Sequence, residues 1–78
     1  MMFQVYSKTN CPYCEAIEKV FKLKSIEYKK YLLNVDYSKE EFIEKFGEGT
    51  TFPRVLLNDE LLGGAKETIN YLKSQNMV

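Results

Sequence analysis

Cys11 and Cys14 are the two thiols of the chain, and Pro12 and Tyr13 separate them. A thiolate attacks a disulfide sulfur and forms a mixed disulfide, and a second nearby thiol can displace the bound group. The setting matters as much as the spacing. Phe3-Gln4-Val5-Tyr6 alternates and reads as a strand, and Ser7-Lys8-Thr9-Asn10 reads as a polar loop. Asn10 or Cys11 then closes the start of a helix. Pro12 suits its first turn, where a missing N–H costs nothing. A cysteine at a helix N-terminus meets unpaired N–H groups and the positive end of the helix dipole. Such a thiol falls from ~8.5 to roughly 3.5–7.5 in pKa. Cys11 holds that position, with Lys8 three residues earlier as a further positive charge. Cys14 lies one turn further in, less exposed and a thiol, placed to attack a mixed disulfide on Cys11.

Other uses of two cysteines fit less well. A zinc site takes about four ligands, whereas this chain has two cysteines and no histidine. A structural disulfide over so short a ring adds little loop entropy. Two inert buried thiols would not need the loop, Pro12 and Lys8 around them.

The positioning elements follow from the hydrophobic pattern. After Pro12, the apolar residues Ala16, Ile17, Val20 and Phe21 recur at three and four residues and predict one helical stripe. Glu15 with Lys19, and Glu18 with Lys22, are expected as acid-first pairs on the outer side. Ile26 to Leu33 predicts a second strand. Ser38 and Glu41 form a capping-box pattern for a helix with Phe42, Ile43 and Phe46 inward, stopped at Gly47. Val55-Leu56-Leu57 predicts a third strand, Asn58-Asp59-Glu60 a turn, and Leu61-Leu62 a fourth strand. A last helix is expected from about Lys66 to Ser74, with Ile69 and Leu72 inward. The order is strand, helix, strand, helix, strand, strand, helix. It makes an α/β protein in which one four-stranded mixed sheet is flanked by three helices.

Two loops carry further signals. Phe52-Pro53 precedes a strand, and an X–Pro bond there is either trans or cis. A cis bond beside the cysteines would leave the preceding N–H and C=O free to pair with a peptide-like ligand as one added strand. Gly63-Gly64 is either a plain tight turn or a place where a ligand approaches the backbone, with the next helix N-terminus facing a carboxylate. Tyr6, Tyr28, Tyr31 and Tyr37 read as sheet-face packing rather than a binding site.

The chain has 78 residues, which predicts a single domain over 1–78. Eleven basic side chains balance eleven acidic ones, which argues against a nucleic-acid binder. No apolar run approaches the ~18–20 residues of a membrane span. The N-terminal Met1-Met2-Phe3-Gln4 lacks the basic and apolar regions of an export signal. The expected setting is therefore a reducing, cytoplasmic one, with neither membrane nor nucleic acid as partner.

Cys11-Pro12-Tyr13-Cys14 after the first strand, Thr51-Phe52-Pro53 before the third and Gly63-Gly64 before the last helix together resemble the glutaredoxin family. The spacing agrees across essentially the whole chain. The resemblance implies a thioredoxin fold with sheet order 2-1-3-4, a cis peptide before Pro53 and monomeric protein without a tightly bound cofactor or metal. It implies glutathione as reducing co-substrate, and disulfide-bearing or glutathionylated proteins as partners. Ribonucleotide reductase is a common client of the family, though nothing in these residues selects it. Cys11 then resembles the nucleophile and Cys14 the resolving cysteine. Lys8 resembles the lysine that meets the glycyl carboxylate of glutathione, and Tyr13 the tyrosine lining the groove. Thr51, Phe52 and Pro53 match the usual Thr-Val-Pro, whose middle backbone bonds the cysteinyl part. Gly64, Ala65, Lys66 and Glu67 resemble the γ-glutamyl site, with Glu67 accepting from the ammonium. Lys66 either reaches the γ-glutamyl carboxylate or points into water. Phe52 stands where valine is usual and would narrow the groove. Gly49 lies where a basic residue often stands before Thr-Val-Pro, with Lys45 as the candidate to compensate. Two rival readings share these residues: a redoxin reduced by a thioredoxin reductase, and a glutathione-ligated iron–sulfur carrier.

Overall fold

The structure is a computed structural model and describes residues 2–78. The first strand, β1 (Phe3–Ser7), alternates buried and half-buried residues along its length. Phe3, Val5 and Ser7 therefore share one face, and Gln4 and Tyr6 the other. Helix α1 (Pro12–Leu23) follows, and the parallel strand β2 (Tyr28–Leu32) pairs with β1 from Phe3↔Tyr28 to Ser7↔Leu32. After α2 (Lys39–Phe46), strand β3 (Arg54–Leu57) returns antiparallel to β1. Strand β4 (Glu60–Gly63) forms a hairpin with β3, and α3 (Ala65–Ser74) closes the chain. The sheet order is β2-β1-β3-β4, the expected 2-1-3-4 mixed arrangement.

The core lies between the sheet and the helix pair α1 and α3. It joins Phe3, Val5 and Val55 from the strands to Ile17, Phe21 and Leu72 from the helices. Each such side chain contributes about 1.5–3 kcal/mol over leaving it in water. The opposite sheet face meets α2 through aromatic rings. Tyr6 lies 4.9 Å from Tyr31, 5.0 Å from Tyr37 and 5.1 Å from Phe46, ring centre to ring centre. Tyr28 packs on Phe21 at 5.1 Å on the core side. The tyrosines are sheet-face packing, as expected.

Helix boundaries are set by caps. Ser38 Oγ accepts from Glu41 N–H at 3.1 Å, Ser38 N–H donates to the Glu41 carboxylate at 2.9 Å, and Gly47 ends α2 at φ +96°. Helix α1 ends without glycine. Ser25 takes the left-handed conformation (φ +55°), and Ile26 N–H reaches back to Phe21 C=O at 2.8 Å. Ile26 thus belongs to the helix cap, and β2 begins at Tyr28 rather than at Ile26.

The α1 stripe differs from the expectation in two places. Ala16 is exposed, whereas Glu18 is buried with Cys14, Ile17 and Phe21. Instead of pairing with Lys22 outside, the Glu18 carboxylate accepts from Ser7 Oγ and Tyr28 OH, each at 3.3 Å, and meets Lys30 Nζ at 3.2 Å. The reason is helical phase: residue 18 stands four after Cys14 and one after Ile17, on the side facing β1 and β2. An acid survives there because the neighbouring strands bring two hydroxyls and an ammonium.

Candidate active site

The C-terminal end of β1 delivers the cysteine pair. Asn10 turns the chain through a left-handed residue (φ +55°), and Cys11 becomes the N-cap of α1 in an extended conformation, with Pro12 as the first helical residue. Cys11 Sγ accepts a hydrogen bond from Cys14 N–H at 3.2 Å. The sulfur thus occupies the place that a serine or aspartate oxygen takes at an ordinary N-cap. An N–H aimed at sulfur, at the positive end of a 12-residue helix, favours the ionised form of the thiol. The two cysteines are joined as a disulfide, with Cα atoms 5.2 Å apart. Both cysteines are buried, Cys14 at 1% exposed and Cys11 at 4%, and Cys11, at the N-cap, is the one nearer the preceding loop. Tyr13, between them, stands 69% exposed at the rim.

The pairing of β3 with β1, which reaches Tyr6↔Arg54, lays the preceding loop beside Ser7 and Lys8. The Phe52–Pro53 peptide is cis and Pro53 is buried. Among the described residues, neither N–H nor C=O of Phe52 takes part in a backbone hydrogen bond. That leaves one donor and one acceptor for an extended ligand. The Phe52 ring has partners of its own. It lies flat on Phe42 of α2, 4.2 Å between centres and 12° between planes, and Lys8 Nζ sits 5.2 Å above it. The ring is thus packed in a stack, and Lys8 is held by a cation–π contact of about 0.5–1 kcal/mol.

The third segment arrives through β4. Gly63 adopts φ +130°, and a Cβ there would lie 2.8 Å from Glu67 Cγ. A Cβ on Gly64 would lie 3.1 Å from Arg54 Nη2 and 3.5 Å from Pro53 C=O. Gly63 is required by its positive φ and by the approach of Glu67, whereas a side chain at Gly64 would need Arg54 to give by a few tenths of an ångström. Glu67 accepts from Gly64 N–H at 2.7 Å, and Thr68 Oγ1 donates to Gly64 C=O at 2.8 Å. The Gly64 N–H, then Glu67's own N–H, hold the Glu67 carboxyl below the usual range; Arg54 and Lys66 add to this, and burial opposes it. Ala65 opens α3 half-buried, while Lys66 is exposed.

The structure thus joins Cys11 to Cys14, sets Lys8 on Phe52 and brings Gly64 against Pro53 and Arg54. Lys45 lies elsewhere. Its Nζ is 5.9 Å from the ring centres of both Tyr6 and Phe46, in a hollow shared with Tyr31 and Tyr37. It does not compensate for a base at Gly49. Arg54 was not anticipated, and it braces the Thr51–Pro53 loop. Its Nε donates to Thr51 C=O at 3.0 Å and Pro53 C=O at 3.2 Å, and its Nη2 to Thr51 Oγ1 at 3.4 Å. The available signal was a charged residue opening the otherwise apolar run Arg54-Val55-Leu56-Leu57 directly after Pro53.

Comparison with known proteins agrees with this geometry. The Glutaredoxin family model matches residues 3–62. Mitochondrial glutaredoxin-2 of Pongo abelii is 33% identical over 67 residues, 82% of this chain and 42% of that protein. The chain thus spans less than half the length of that relative. Among solved structures, glutaredoxin 1 from Francisella tularensis, complexed with cacodylate, superposes with a TM-score of 0.77 at 22% identity, covering 96% of each chain. A buckwheat glutaredoxin–glutathione complex superposes with the same TM-score, 0.77, at 22% identity, over 96% of this chain and 71% of that one. These likenesses show the thioredoxin fold shared by such proteins, and the family match carries the assignment: the chain belongs to the glutaredoxin family, with Cys11 and Cys14 as its dithiol pair.

Proposed function

We propose that this protein is a glutathione-dependent thiol–disulfide oxidoreductase acting on protein disulfides and glutathione mixed disulfides. The observation that carries the reading is Cys11 Sγ at the N-cap of α1, receiving the Cys14 N–H, beside the unpaired Phe52 backbone. In the reduced enzyme the Cys11 thiolate attacks one sulfur of a substrate disulfide. A Cys11–substrate bond forms, the substrate S–S bond breaks, and the departing thiolate takes a proton. Cys14 loses its proton and attacks Cys11 Sγ, which releases the second substrate thiol. The two electrons of the dithiol have passed to the substrate, and the Cys11–Cys14 disulfide remains. One glutathione then opens it by bonding to Cys11, and a second displaces the first as oxidised glutathione. A glutathionylated protein needs Cys11 alone: it takes the glutathione and a second glutathione removes it. Lys8, Thr51, Phe52 and the Gly64–Glu67 turn are the groups proposed to hold glutathione. The proposed setting is a reducing, cytoplasmic one.

The test is turnover of a glutathione mixed disulfide with glutathione as sole electron source. Cys11→Ser should abolish activity on both substrate types, and Cys14→Ser should lose protein-disulfide reduction alone. Reduction by a thioredoxin reductase but not by glutathione would replace this reading with that of a thioredoxin-like redoxin.

A further inference from the structure

Beside the Lys8–Phe52 contact lies a groove of about 450 Å³, of which the catalytic cycle above uses Lys8 and Phe52 and leaves the α2 side, with Lys39, unassigned. Its floor is the Phe42–Phe52 stack with Ile43, its far wall is the turn from Gly47 to Thr50, and its polar groups include the side chains of Lys8 and Lys39. No carboxylate lines it. The hollow under Tyr6 and Tyr31 contains Asp36, Glu41 and Glu44 as well as Lys45, and the one against α1 balances Glu15 and Glu18 with Lys19, Lys22 and Lys30. In a chain of zero net charge, two cations therefore share a groove without a counter-charge. Among the described residues, the only ion pair is Lys30 with Glu18, so neither Lys8 nor Lys39 is neutralised elsewhere. A Cβ at Gly49 would meet nothing within 4 Å, so the wall is open to an incoming chain.

We propose that this groove receives an acidic side chain of the protein substrate, flanking the cysteine that bonds to Cys11, and that Lys39 is the residue that selects it. The proposal rests on the redox reading above and adds a preference among its protein substrates. A segment tied to Cys11 and lying along Phe52 passes directly over Lys8 and the groove. An acid within about three residues of the reacting cysteine, about 10 Å of extended chain, reaches it. Its methylenes lie on the ring stack and its carboxylate between two ammonium groups. Glutathione, with a single carboxylate at its glycyl end, needs Lys8 at most. Lys39 is thus free to discriminate among proteins.

The experiment uses two disulfide-linked peptides that differ only in Glu against Gln at the flanking positions, with glutathione as reductant. An ion pair at an open surface is worth about 0.2–1 kcal/mol, or roughly 1.4- to 5-fold. Wild-type protein should favour the Glu peptide by about that ratio in kcat/KM, expressed in KM, and the ratio should shrink as salt shortens the Debye length below about 10 Å. Lys39→Gln should lower the ratio to the part that Lys8 alone supplies, and Lys39→Arg should retain it. A ratio of one in the wild type, or one unchanged by Lys39→Gln, overturns the inference while leaving the redox reading intact. Failure to turn over either peptide overturns both.

Discussion

The stack of Phe52 on Phe42 should behave as one energetic unit joining the site to α2. Phe42 is 4% exposed and touches the rings of Phe52, Phe46 and Tyr37 at 4.2, 4.9 and 5.9 Å. Replacing it by leucine keeps most of the apolar volume and should cost about 1–2 kcal/mol, less than the about 3–5 of a full truncation to alanine. Replacing half-buried Phe52 by valine should cost about 1 kcal/mol, mostly through the lost ring contact. If the flat stack is a real coupling, the double variant should cost less than the sum, by about 0.5–1.5 kcal/mol. Urea unfolding of the four proteins, followed by far-ultraviolet circular dichroism, measures the cycle. Additivity within about 0.3 kcal/mol would refute the stack as a coupled contact. Phe52→Val also removes the seat of Lys8. On the proposed reading, in which Lys8 meets glutathione away from the sulfurs, a raised KM for glutathione with unchanged kcat should accompany the stability loss.

Further outcomes follow from three groups. Tyr37 OH donates to Ser7 C=O at 2.7 Å, and that carbonyl also accepts from Leu33 N–H at 2.9 Å, so Tyr37→Phe should cost only about 0.5–1.5 kcal/mol in chemical denaturation. Burial, with Tyr6 and Asp36 nearby, pushes the Tyr37 hydroxyl above its ordinary 10.0; its contribution is therefore full below 10.0 and lost as pH rises through the folded value, and the phenylalanine variant should show a shallower alkaline loss of Tm. Glu67 is held below its ordinary 4.5, so its contribution is full above 4.5 and lost as pH falls through the depressed value; Glu67→Gln should flatten the acid limb of a Tm profile taken from about pH 7 to about pH 3. Lys30→Met should cost about 1–2 kcal/mol in urea, less than the about 3–5 of a fully enclosed pair, because the Lys30 side chain is 47% exposed against 9% for Glu18.

The elements and the cysteine placement were legible because their signals are local. Pro12 at the first helical turn, Ser38 with Glu41, and the alternation of Phe3 to Tyr6 each report on a few neighbouring residues. What escaped reading depends on partners far along the chain. Glu18 and Lys22 have the spacing of an exposed pair, and only the arrival of Tyr28 and Lys30 on β2 makes the buried alternative affordable. Phe52 looked like an obstruction because its partner Phe42, ten residues earlier on another element, cannot be assigned from spacing. Arg54 opens a strand, and its reach back to Thr51 is set by the course of the loop before it, which spacing does not report. The left-handed Ser25 ended α1 without the glycine that usually announces such a stop.

Glu18 has a mechanical meaning as well. It grips Ser7 at the end of β1 and Tyr28 and Lys30 on β2, one turn below Cys14 on the same helix. The shaft that carries Cys14 is thereby bolted to both parallel strands. In the proposed cycle the sulfurs would then open and close on a helix whose seat on the sheet is fixed.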